Sequence, residues 1–211
     1  MIHLVIPVGP LQSNCSVLGD EQTGEAIVVD PGADAEALLQ VLNEHDLKLK
    51  LIVLTHGHID HVSGATPLKR LTGAPILMNP KDQPLLDTLD RDAAWIGVDP
   101  PEPVEVDREL AHDDWIELGS IKARVIHTPG HTEGSVCLYM PTEKKLIAGD
   151  TLFMGSVGRT DLPGGSYDQL MRSLRERVLA LPDDTAVIPG HGPMTYIGVE
   201  RESNPFLQSG N

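Results

Sequence analysis

The run Thr55-His56-Gly57-His58-Ile59-Asp60-His61 places three imidazoles and a carboxylate within six positions, directly after the apolar stretch Leu51-Ile52-Val53-Leu54. Imidazole nitrogens and carboxylate oxygens are the donors that hold borderline divalent cations. Three imidazoles this close repel one another when protonated and gain little from packing. A bound cation is the simplest physical reason to group them. Such a cation supplies Lewis-acid chemistry: it acidifies a water and polarises a carbonyl.

Three more segments have the same form, a strand followed by a short loop carrying a metal-type side chain. Ala123–Ile126 leads to His127-Thr128-Pro129-Gly130-His131; Lys145–Ala148 leads to Gly149-Asp150-Thr151; Thr185–Ile188 leads to Pro189-Gly190-His191-Gly192. A glycine stands beside each candidate donor, where a missing Cβ permits tight turns and close approach of backbone.

These loops need elements to carry them. Strands are predicted over 2–6, 15–18 and 26–29. Asp34 is expected to cap a helix whose apolar residues Ala35, Leu38, Leu39 and Leu42 fall on one face. A short helix follows the histidine-rich loop, with Pro67 in its first turn and Gly73 just past its end. Residues 85–95 are expected to be helical, with an irregular loop after them. Two hairpins are predicted: 115–118 with 121–126 across Gly119-Ser120, and 136–140 with 146–148 across 141–144. Ser166 and Gln169 form a capping box for a helix with Leu170, Leu174 and Val178 on one face, which Pro182 ends.

Composition narrows the function classes. The chain of 211 residues is long enough for a substantial core and is expected to form a single domain. Its net charge of −15 disfavours nucleic-acid partners and anionic membrane surfaces, both of which select basic footprints. There is no apolar run of membrane-spanning length, and the start at Met1–Val8 does not read as a signal peptide. Cys15 and Cys137 lie in apolar strand-like runs and read as buried, reduced thiols of a cytoplasmic protein.

Asp30-Pro31-Gly32 after a strand, the His-x-His-x-Asp-His loop, His131, Asp150, Gly158-Arg159-Thr160-Asp161 and Pro189-Gly190-His191-Gly192 together resemble the metallo-β-lactamase-fold hydrolases. Within them the chain is similar to the glyoxalase II-like group, and most to its short single-domain bacterial members, which the Asn204-Pro205-Phe206 tail also fits. The resemblance implies an α/β (α+β) fold, a four-layer αββα sandwich of two mixed sheets flanked by helices. It implies a first metal on His56, His58 and His131, a second on Asp60, His61 and His191, and Asp150 bridging the two. Asp60 and Asp150 are then the carboxylates at the chemistry. The cofactors implied are two divalent ions, zinc in the first place, with iron or manganese as alternatives. The reaction implied is attack of a metal-bridging hydroxide on a small-molecule thioester, S-D-lactoylglutathione first, giving D-lactate and glutathione. No Ser-His-Asp nucleophile arrangement competes with this reading.

The C-terminal helical domain that binds glutathione in two-domain relatives is expected to be absent. Arg159 stands where those relatives use a Lys against glutathione, so it is a candidate substrate-binding residue. Asp161 replaces a Tyr, and an Arg159–Asp161 ion pair is the other reading. Asp30 is a candidate for bracing the histidine loop, and His127 for a similar supporting role, whereas His3, His45 and His112 read as structural. Three functional alternatives remain: a persulfide dioxygenase using one iron, which shares the Gly-Arg-Thr-Asp motif; a lactonase or other ester hydrolase; and a non-catalytic scaffold.

Overall fold

The structure, a computed structural model describing residues 1–208, divides into two units. The first comprises Met1–Leu110 with Glu117–Ile121; the second comprises Ala111–Ile116 and the chain from Lys122 onward.

The first unit runs β1 (Ile2–Val8), β2 (Ser13–Asp20), β3 (Glu25–Val29), α1 (Ala35–Glu44), β4 (Lys48–Val53), α2 (Ile59–Val62), α3 (Ala65–Thr72), β5 (Ile76–Met78), α4 (Gln83–Leu86), α5 (Leu89–Ile96) and β6 (Arg108–Glu109). Its strands form one mixed sheet in the order β1-β2-β3-β4-β5-β6. The first three pair antiparallel and the rest parallel. Parallel neighbours require crossover connections, and α1 supplies one between β3 and β4 while α2 and α3 supply the next. The helices bury apolar faces on this sheet: Leu38, Leu42 and Leu68 pack with Val17, Val28, Ile52 and Ile76.

The predicted helix over 35–44 forms, but Asp34 does not cap it. Asp34 has φ 56° and makes no side-chain bond to the helix; its carboxylate instead accepts from the Gly9 N–H at 2.9 Å. A left-handed residue aims its side chain away from the first-turn amides, so the Asp serves the β1–β2 turn. Gly73 closes α3 as expected, with φ 76°. The helix expected over 85–95 is interrupted between α4 and α5.

The second unit contains β7 (Trp115–Leu118), β8 (Ile121–His127), β9 (Val136–Met140), β10 (Lys145–Gly149), β11 (Leu152–Phe153), β12 (Ser156–Val157), α6 (Tyr167–Ser173), β13 (Ala186–Pro189), β14 (Thr195–Tyr196), α7 (Ile197–Ser203) and α8 (Pro205–Gln208); the first residues of β8 and the last of β7 fall at the division. Six of these strands form a sheet in the order β14-β13-β10-β9-β8-β7, mixed because β10 and β13 run parallel. Helix α6 continues into a π turn, Leu174–Val178, and buries Leu170, Leu174 and Val178 against Ile126, Leu146 and Val187.

The capping box is half formed. Ser166 Oγ accepts from the Gln169 N–H, but the Ser166 N–H donates to the Gly130 carbonyl, so the return bond from Gln169 has no donor to meet. Two mixed sheets with flanking helices make an α+β fold, the class the resemblance implies. No helix of the described residues is long and apolar enough to cross a membrane.

Candidate metal centre

Each candidate donor sits where a strand ends. In the first unit β4 delivers Thr55 and His56, and the short helix α2 presents Asp60 and His61 from its first turn, with His58 as its N-cap residue. The ring centroids of His56 lie 4.9 Å from His58 and 4.2 Å from His61.

The hydrogen bonds behind these rings fix their protons. Asp30 is buried at the end of β3, with φ 53°, and its carboxylate accepts from Thr55 N at 2.7 Å, from Thr55 Oγ1 at 2.6 Å and from His61 Nδ1 at 3.0 Å. A carboxylate only accepts, so the single hydroxyl proton of Thr55 goes to Asp30. Thr55 Oγ1, 3.0 Å from His56 Nδ1, must then accept from that ring. Both imidazoles therefore carry their proton on Nδ1, and in the neutral ring the lone pair resides on Nε2, the state a metal ligand requires. The sequence reading of Asp30 as a brace for the histidine loop is what the structure contains. Donor atoms of Asp30, His56 and His61 lie within 4.8 Å of one another. Asp30 is nevertheless committed to its three donors, and its role is to orient.

Backbone geometry completes this half. Ser13 Oγ donates to the Asp60 carbonyl at 2.5 Å, and a Cβ at Gly32 would collide with that same carbonyl. The Asp30-Pro31-Gly32 turn thus lets α2 approach the sheet. Asp82, buried just before α4, accepts from the Gly57 N–H at 2.9 Å. Nothing local in the sequence marks Asp82, because its partner lies 25 residues earlier.

In the second unit, His131 follows β8, Asp150 follows β10 and His191 follows β13. One oxygen of Asp150 faces two rings: Oδ2 lies 3.6 Å from His131 Nε2 and 3.9 Å from His191 Nε2. In the first unit Asp60 Oδ2 lies 3.6 Å from His61 Nε2. These separations are too long for hydrogen bonds. They are near the roughly 3.4 Å edge of a tetrahedron whose metal–ligand bonds are about 2.0–2.1 Å. The donor set fits divalent ions in charge, chemistry and spacing.

His131 Nδ1 donates to the Arg159 carbonyl at 2.8 Å, which places its lone pair on Nε2 as well. Gly158 makes that possible, since a Cβ there would strike the Asp150 carbonyl and crowd His131. His127 pairs through Nε2 with the Glu133 carbonyl at 2.8 Å, and Arg177 donates to the His127 carbonyl, so His127 braces the loop that carries His131. The Arg159 guanidinium binds Asp161 through two contacts of 2.8 Å, the ion pair that the sequence left open, and both side chains are exposed. Its hydrogen bonds hold the Asp161 carboxyl down at about 2.

A last feature was not visible in the sequence. Glu200 is buried and accepts from Gly155 N at 2.9 Å, Thr195 Oγ1 at 2.6 Å and Asn204 Nδ2 at 2.7 Å, while Asn204 also donates to the Ser156 carbonyl. The Asn-Pro-Phe tail thereby ties α7 and α8 to the β11–β12 hairpin, which links Asp150 to Gly158. Cys15 and Cys137 are free, buried thiols, as expected; burial raises both, Cys137 to about 11.

The family model for the Metallo-beta-lactamase superfamily matches residues 8–191. The chain belongs to the metallo-β-lactamase superfamily. Hydroxyacylglutathione hydrolase GloC of Haemophilus influenzae is 41% identical to it over 207 residues, which cover 97% of each chain. Among solved structures, the BLEG-1 B3 metallo-beta-lactamase matches with a TM-score of 0.92 and 37% identity, over 99% of this chain and 100% of the other. TTHA1623 in a di-iron-bound form matches with a TM-score of 0.88 and 38% identity, over 97% and 100%. The chain is accordingly a metallo-hydrolase of the metallo-β-lactamase fold, with His and Asp groups suited to divalent ions.

Proposed function

We propose that this metallo-hydrolase cleaves thioesters of the hydroxyacylglutathione class, with S-D-lactoylglutathione as the first substrate to test. In this reading His56, His58 and His131 hold one divalent ion, Asp60, His61 and His191 hold a second, and Asp150 serves both. When bound, such ions supply an acidified water and a positive charge beside the developing oxyanion.

The observation that carries the metal-ligand part is the proton placement. Nδ1 of His56, His61 and His131 is committed to Thr55, Asp30 and the Arg159 carbonyl, which leaves each Nε2 as a donor atom. The thioester part is supported by the likeness to the Haemophilus hydrolase. Thioester cleavage also suits a site with no evident general acid for the leaving group, because a thiol with a pKa of about 8.5 departs as the thiolate without help. Asp60 and Asp150 contribute two negative charges that favour divalent over monovalent ions, and zinc, iron or manganese satisfies the same nitrogen and oxygen set. The Arg159 guanidinium is the candidate partner for a substrate carboxylate. Its pair with Asp161 is solvent-exposed, and exposed pairs are weak enough for a substrate carboxylate to exchange with the Asp.

The test is thiol release from S-D-lactoylglutathione by metal-replete protein, with a chelator-treated sample beside it. Metal-dependent turnover well above background supports the reading. Absence of turnover with metal bound overturns it, and oxygen consumption with a glutathione persulfide by the iron-loaded protein would replace it with the dioxygenase alternative.

A further inference from the structure

The first unit contains a cavity of about 170 Å³ that the ligand assignments do not use. Its walls include Val8 at the end of β1, Leu11 from the β1–β2 connection, Ile59 from α2, and Ile96 and Val98 from the end of α5 and the loop beyond. Asp60, a proposed metal ligand, is one of its lining residues. Among the described residues the lining contains no cationic side chain, and its charged members are Asp60 and Asp99.

We propose that this cavity is the acyl subsite of the enzyme and that it selects thioesters with an apolar acyl chain of about four to six carbons. The proposal rests on the thioesterase reading above. Size sets the first limit: the pocket is open on one side, with Leu11 47% exposed, and its space of about 170 Å³ suits a group of benzene size. Charge sets the second. The thiol carriers of biological thioesters are anionic, and a carboxylate placed here would face Asp99 with no cation to offset it. The acyl side is uncharged and is bonded directly to the carbon under attack, so it is the part of the substrate that can sit in an apolar wall beside Asp60. Ile96 and Val98 are then specificity-determining residues.

The experiment compares kcat/KM for acetyl-, butanoyl-, hexanoyl- and lactoyl-glutathione with the metal-loaded protein. Burial of each CH2 is worth about 0.8 kcal/mol, or about fourfold, so butanoyl is expected to exceed acetyl by about fifteenfold. Val98→Trp fills the cavity and brings the butanoyl-to-acetyl ratio close to one. Because the ratio is internal to one preparation, a partly folded variant does not alter it. Should V98W fail to fold, Ile96→Ala enlarges the cavity instead and shifts the preferred chain to greater length. A flat series with turnover, or a ratio that neither substitution changes, overturns the subsite alone. No turnover of any thioester in the series overturns the thioesterase reading and the subsite with it.

Discussion

Replacing Asp30 with Asn keeps the volume of the side chain and removes only its charge and one acceptor, yet it should cost the protein its second metal. With the amide oxygen in the place of Oδ2, the NH2 group faces the Thr55 N–H, donor against donor, across 2.7 Å in a buried site. With the oxygen in the place of Oδ1, the NH2 group confronts the Thr55 hydroxyl and His61 Nδ1, now 2.6 and 3.0 Å away. His61 can then pair only by moving its proton to Nε2, the atom a cation needs. The first arrangement keeps an oxygen on His61 Nδ1 but removes its charge and opposes two donors at Thr55, whereas the second reverses the His61 tautomer; partners of this kind typically contribute about 10–100-fold to metal affinity. That range equals about 1.4–2.7 kcal/mol. His56 is coupled to Asp30 only through Thr55, so the first equivalent should weaken less than the second. The assay is titration of the apo-protein with Zn2+ against a chromophoric chelator, resolving both equivalents. Two equivalents bound by D30N with dissociation constants within twofold of the parent would refute the proton-placement argument.

Asp82→Ala leaves the buried Gly57 N–H without its carboxylate, and urea denaturation should record a loss of about 1–3 kcal/mol. Glu200→Ala strands three donors between α7 and the β11–β12 hairpin; a loss of about 2–4 kcal/mol is expected, and an unchanged melting temperature would contradict the buried geometry. The Cys137 thiol, raised by burial from 9.0 to about 11, keeps its proton in the folded state after the unfolded chain has lost it. Its contribution is therefore intact below pH 9 and falls as pH rises towards 11, by about 2–3 kcal/mol. Urea midpoints of apo-protein and Cys137→Ala between pH 8 and 11 test this, since the substituted protein should lose less stability over that interval.

What was legible in the sequence was local. The His-x-His-x-Asp-His run is contiguous, and the strands before each donor loop announce themselves by apolar runs, so the strand-then-ligand pattern could be read directly. The bonds that hold those donors are not local. Asp82 meets Gly57, Glu200 meets Gly155, and the Arg159 carbonyl meets His131, each through a fold that no spacing rule encodes. Asp34 shows the opposite failure: a residue type with a strong capping preference adopted a left-handed backbone and turned to Gly9. Short pairings such as β5 with β6, two residues each in contact, carry too little pattern to be seen in advance.

The three proton acceptors behind the histidines differ in strength, and that difference has consequences for the metal each ring would hold. His131 donates to a neutral carbonyl, His56 to a hydroxyl that itself leans on a carboxylate, and His61 to the carboxylate directly. A charged acceptor draws the Nδ1 proton more strongly and makes Nε2 the better donor. His61 is thus the one ring of the three whose Nδ1 pairs directly with a carboxylate, and it stands beside Asp60. The set assigned to the second ion would accordingly gather more negative charge than the set assigned to the first, counting Asp30 and Asp60 against none. Charge of this kind favours harder, more oxygen-seeking ions such as iron or manganese, whereas a three-histidine set suits zinc. In the proposed assignment the two ligand sets are therefore unlike, and unequal metal preference is the outcome expected from where Asp30 directs its oxygens.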